Sequence, residues 1–89
     1  MKTILIVDDE QTARHLLRYV LQLDGYHILS AHDAYEAVRI LETGDLPDLV
    51  ISDVMMPGML GPDLVQYMAG KQELERIPVV LISAYHDLS

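Results

Sequence analysis

Asp8, Asp9 and Asp53 are the residues in this 89-residue chain best placed to do chemistry together. Asp8 and Asp9, with Glu10 behind them, follow the apolar run Ile4–Val7, and Asp53 follows Leu49-Val50-Ile51-Ser52. If the two runs are neighbouring strands, the three carboxylates converge at one end of a sheet. Grouped carboxylates repel, so one takes up a proton or a cation binds among them. An all-oxygen acid set suits Mg²⁺, Mn²⁺ or Ca²⁺, and Mg²⁺ fits best because it takes one or two protein carboxylates, keeps its waters and favours phosphate. The loop after Asp53 can add a backbone carbonyl, with Met55 the favoured donor. Ser83 closes a later apolar run, and its hydroxyl can hydrogen-bond a phosphoryl oxygen.

Each signal is weak alone. Asp-Asp after a strand is often only a turn and a helix cap, and a serine at a strand end is usually a turn hydroxyl. The specificity lies in all of them falling at strand ends in the right order. His15, His27, His32 and His86 share no metal-ligand spacing, and structural roles outweigh ligand roles for them. Met55, Met56, Met59 and Met68 read as loop contacts and packing rather than a cofactor site.

The elements that must position these groups follow from the pattern. Thr3–Val7 is a continuous apolar strand of the kind buried on both faces. Between Gln11 and Leu23, Ala13, Leu16, Leu17, Val20 and Leu21 keep helical spacing, and Gly25 stops the helix. His27–Ala31 reads as a second strand. Ala34–Glu42 is a second helix with Ala37, Val38 and Leu41 inward, ended by Gly44. Asp48–Ser52 is a third strand. Pro57, Gly58, Gly61 and Pro62 mark a loop, and a helix starting near Pro62 or Asp63 buries Leu64, Val65 and Met68. Pro78 opens a fourth strand, Val79–Ser83. Strands alternating with helices indicate βαβ units, a parallel sheet and right-handed crossovers. Ligands in such sheets bind beyond the carboxyl ends of the strands.

Composition narrows the function classes. The net charge of −8, from 14 acids against 6 bases, opposes a nucleic-acid surface. Without cysteine there is no disulfide and no thiolate metal site. The hydrophobic content of 51% is too high for a disordered segment. No run is long enough to span a membrane, and the N-terminus lacks the pattern of a secretory signal, so a soluble cytoplasmic protein is expected.

The motifs resemble the receiver domain of two-component response regulators. Ile4-Leu-Ile-Val-Asp-Asp-Glu10 is similar to that family's first strand and acidic pair. Asp48-Leu-Val-Ile-Ser-Asp-Val-Met-Met-Pro-Gly-Met-Leu-Gly61 resembles its phospho-acceptor strand and loop, and Pro78-Val-Val-Leu-Ile-Ser-Ala84 its fourth strand. The resemblance covers the chain and implies a flavodoxin-like, doubly wound parallel sheet of order 2-1-3-4. It implies that Asp53 accepts a phosphoryl group and that Asp8, Asp9, Asp53 and the Met55 carbonyl hold Mg²⁺. Ser83 would bind the phosphoryl group, and the small Ala84 would leave room for it. The donor would be a phosphohistidine on a histidine kinase or phosphotransfer protein.

Two departures stand out. Leu60 occupies a loop position where the family often has an acid. The family also continues through a further helix, a fifth strand whose loop carries a phosphate-pairing lysine, and a last helix. Residues 1–89 therefore read as one receiver domain incomplete at its C-terminus, with Lys2 and Lys71 wrongly placed to replace that lysine. A bare fourth strand and an uncovered sheet face would favour a homodimer.

The leading function is a phospho-acceptor without turnover on a separate substrate. The alternative is an unphosphorylated receiver-like interaction module. A phosphatase-like hydrolase is disfavoured, because the position two after Asp53, where a general acid is usual, is Met55.

Overall fold

A computed structural model describes residues 1–83. Four parallel strands, β1 (Thr3–Val7), β2 (His27–Ala31), β3 (Leu49–Asp53) and β4 (Val79–Ile82), form one sheet in the order β2-β1-β3-β4. Three helices connect them: α1 (Gln11–Leu23), α2 (Ala34–Glu42) and α3 (Gly61–Ala69). This is the flavodoxin-like order expected from the motifs. β1 sits inside the sheet, and its Ile4, Leu5, Ile6 and Val7 are all buried.

The sheet's two faces are unequally covered. On one, eleven buried residues form a core, with Leu5, Val7 and Val50 of the strands meeting Ala34, Ala37 and Leu41 of α2 and Leu64 and Met68 of α3. On the other, Ile4, Ile6 and Ile28 are the buried cluster among the described residues, packed by Leu17 and Leu21 of α1. No residue of α1 is itself buried, and Leu16 and Val20 are exposed despite their helical spacing. A helix laid on a sheet buries a stripe, and these two fall outside it. In α3, Leu64 and Met68 are buried as expected, while Val65 is half-buried. In β4, Val80, Leu81 and Ile82 are exposed, as expected of an edge strand.

Caps fix the helix starts at the carboxyl end of the sheet. Glu10 caps α1, its carboxylate accepting from the Ala13 amide at 2.6 Å and the Thr12 amide at 3.3 Å. Asp33 caps α2, accepting from the Glu36 amide at 2.7 Å, while the Glu36 carboxylate accepts from the His32 amide at 2.7 Å. This reciprocal pair satisfies donors that a helix leaves open. Leu60 has no side-chain acceptor for α3, but Asp63 accepts from the Leu60 amide at 3.0 Å and places negative charge at the helix's positive end.

Candidate functional site

The β1–β3 register pairs Val7 with Ser52, so Asp8 and Asp53 stand side by side beyond the last paired residues. The backbone carries this placement. The Asp8 amide donates to the Ala31 carbonyl at 3.1 Å and so extends the link to β2, and the Val54 amide donates to the Ile82 carbonyl at 2.9 Å. Asp53 is the last residue of β3, paired with Ile82, rather than the first residue after a strand ending at Ser52. The ladder runs one residue further than expected because β4 supplies it with partners.

Asp8, Asp9 and Asp53 each bring a carboxylate oxygen within 4.8 Å of the others. Asp8 and Asp53 are buried and Asp9 is exposed, so the cluster has a floor and an open side. Burial pushes the Asp8 carboxyl above its usual range. The hydrogen bond from the Glu10 amide, at 2.9 Å, pulls it back, and the charges of Asp53, Asp9 and Glu10 push it up again. The donor set is three hard oxygens, one of them on the exposed Asp9, and it fits Mg²⁺ with its retained waters.

Two contacts orient the acids. The Arg14 guanidinium donates to the Asp8 carbonyl at 2.7 Å, tying the first turns of α1 to the end of β1. The Met55 amide lies 3.4 Å from Asp53 Oδ1, which accepts from it and tightens the start of the following loop. Met55's side chain is exposed, while Met56 and Met68 are buried in the core and Met59 packs against it, as loop contacts and packing require. Ser83 follows Ile82 at the same end of the sheet and is exposed. Ala84 and His86 lie outside the described residues. Lys71 stands beyond α3, 5.6 Å from the centroid of the Tyr67 ring.

Sequence reasoning missed three residues that shape this site. Arg14 left one signal, a base within two turns of the acidic pair. Gly61 read only as a loop marker, yet a side chain there would collide with the Asp53 carbonyl oxygen. Tyr35 lies against Gly58 in the loop after Asp53, and nothing in its local sequence marks that contact.

The comparisons with known proteins agree with this geometry. The model of the response regulator receiver domain matches residues 4–89. The alkaline phosphatase synthesis transcriptional regulatory protein PhoP of Bacillus subtilis is 36% identical over 83 residues, which are 93% of this chain and 33% of PhoP. The chain thus spans about a third of the length of that curated relative. A signal receiver domain of a histidine kinase from Syntrophus aciditrophicus superposes with a TM-score of 0.89 at 39% identity, over 99% of this chain and 66% of that one. The response regulator TrrA of Thermotoga maritima, solved in complex with Mg(2+)-BeF, gives a TM-score of 0.84 at 38% identity, over 96% of this chain and 71% of its own. With the acids, the strand order and the family match in agreement, the chain belongs to the response regulator receiver domain family.

Proposed function

We propose that this chain is a phospho-accepting receiver module in which Asp53 takes a phosphoryl group from a phosphohistidine. The observation that carries this is the meeting of Asp8, Asp9 and Asp53 at the carboxyl end of the parallel sheet. Asp8, Asp9, Asp53 and the Met55 carbonyl would hold Mg²⁺, and the Mg(2+)-BeF bound to the TrrA relative supports that assignment. Receiver domains of response regulators act with histidine kinases or phosphotransfer proteins, and such a protein is the donor proposed here. Residues 1–89 are read as belonging to one receiver domain.

The chemistry follows from the residues. An Asp53 carboxylate oxygen attacks phosphorus, the phosphorus–nitrogen bond to the donor imidazole breaks, and its electron pair stays on nitrogen, which takes a proton from solvent. The product is an acyl phosphate on Asp53. Bound Mg²⁺ supplies positive charge against the spread negative charge of the transferring group. Burial of Asp53 limits its hydration. The Ser83 hydroxyl would donate to a phosphoryl oxygen, and Ala84 would leave room beside it. The chain is an acceptor and turns over no separate substrate.

Incubation with acetyl phosphate and Mg²⁺ should add a single phosphoryl group, acid-stable and base-labile, seen by intact mass. Asp53→Ala should remove it. No mass gain in wild type, or an equal gain in the variant, overturns the assignment.

β4 also supports self-association. It pairs only with β3 among the described strands, and its exposed Val80, Leu81 and Ile82 carry no charge. Two such edges are self-complementary in hydrogen bonding, so a second copy pairing along β4 is the proposed occupant. Sedimentation equilibrium should give a dimer that Leu81→Lys converts to monomer. A wild-type monomer at all accessible concentrations excludes it.

A further inference from the structure

The loop between β3 and α3 carries Met55, and its position decides where the Met55 carbonyl points. From inside, Met56 is buried in the core, and the Gly61 amide donates to the Val54 carbonyl at 2.9 Å, closing the loop at its base. From outside, the side chain of Tyr35 on α2 lies against the loop. A Cβ added at Gly58 would lie 2.8 Å from Tyr35 Cε2 and 3.2 Å from Tyr35 Oη, so the tyrosine ring stands against the Gly58 backbone. Gly58 has φ of 84°, so the loop turns there through a conformation that favours glycine.

Tyr35 is well suited to brace. It sits in the first turn of α2, which the Asp33–Glu36 pair fixes, and its neighbour Ala34 is fully buried. Its side chain has two main torsions and orders at low entropic cost. It is 55% exposed and belongs to neither core cluster, so core packing does not account for where it sits.

We propose that Tyr35 is a positioning residue for the cation site, holding the loop that carries Met55, whose carbonyl would join the three carboxylates. This rests on the proposed Mg²⁺ role of the site. Support from behind a ligand is commonly worth tenfold or more in metal affinity. The aromatic ring supplies the brace, and the hydroxyl is dispensable to it.

The test is calorimetric titration of the whole chain with Mg²⁺, together with a thermal melt in EDTA. Tyr35→Ala should weaken Mg²⁺ binding by about tenfold, while Tyr35→Phe stays within about twofold of wild type. The melting temperatures in EDTA should stay close together, because the side chain lies outside the core. Phosphorylation of Tyr35→Ala by acetyl phosphate should be slow at low Mg²⁺ and return to the wild-type rate at saturating Mg²⁺. Equal affinity in Tyr35→Ala and wild type overturns the proposal. So does a loss in Tyr35→Phe as large as in Tyr35→Ala, or a melting temperature in EDTA that falls along with affinity. A wild-type chain that binds no Mg²⁺ fails at the earlier step and sinks the cation-site reading itself.

Discussion

Gly61→Ala is expected to be the most damaging single-methyl change in this protein. A Cβ at Gly61 would overlap the Asp53 carbonyl oxygen, with Leu81 Cδ2 at 3.0 Å and Val54 Cα at 3.1 Å closing off escape. Two of the three obstacles are backbone, which no rotamer change can move. The start of α3 must therefore lift off the end of β3, straining the link in which the Gly61 amide donates to the Val54 carbonyl. Overpacking against rigid neighbours costs about 3 kcal/mol at its upper range. For a domain of this size that is on the order of 15 °C in melting temperature. Gly25→Ala is the control. Gly25 has φ of 90° but open space around it, so it should lose only about 1 kcal/mol to backbone strain. Melts followed by circular dichroism decide the matter. If Gly61→Ala loses no more than Gly25→Ala, close approach to Asp53 is not what requires glycine at position 61. Surviving Gly61→Ala protein should also bind Mg²⁺ more weakly, since the peptide that moves is Asp53's own.

That contrast shows what the sequence could and could not carry. Thr3–Val7, Gln11–Leu23, His27–Ala31 and Ala34–Glu42 were legible to the residue, because each has its own periodicity and a cap or glycine at its end. The three acids were legible because parallel strands deliver their following residues to one edge, and β1 and β3 are neighbours. From the sequence Asp53 falls one residue beyond its strand, because the extra pairing with Ile82 belongs to β4, nearly thirty positions later. Leu16 and Val20 share the spacing of Leu17 and Leu21, and periodicity alone does not say how wide a stripe the sheet covers. Arg14 on the Asp8 carbonyl, Tyr35 on Gly58 and Gly61 on Asp53 are contacts between elements. Residue types along the chain do not encode such contacts until the fold is known.

Asp53→Asn is expected to reverse its stability relative to wild type when Mg²⁺ is added. The cause lies in Asp8, held above its usual range first by burial and then by the charges of Asp53, Asp9 and Glu10. A carboxyl raised on folding stabilises the fold below its unfolded pKa, and that contribution is lost as pH rises through the folded value. With the metal absent, the wild type therefore carries more of the repulsion among its clustered carboxylates as pH rises. Asparagine at position 53 removes one charge, so metal-free Asp53→Asn should melt above wild type, by on the order of 1 kcal/mol at the screening of a partly wet site. Mg²⁺ reverses the order. A cation at 100 times its dissociation constant stabilises the fold by about 2.7 kcal/mol, and the variant has lost a ligand and gains far less. Acid supplies a second check. Near pH 4 protons relieve the repulsion that Mg²⁺ relieves at pH 7, so the metal-free advantage of the variant should shrink. Glu36 pulls the other way. Its carboxyl is lowered, chiefly by the His32 amide, so its stabilising contribution is lost as pH falls through its lowered folded pKa. That loss is common to both proteins and cancels in the comparison. Melts of the pair at both pH values, with EDTA or with Mg²⁺, are sufficient. A metal-free Asp53→Asn less stable than wild type at pH 7 would remove carboxylate repulsion as the organising force of the site. An equal Mg²⁺ shift in both proteins would move the cation away from Asp53.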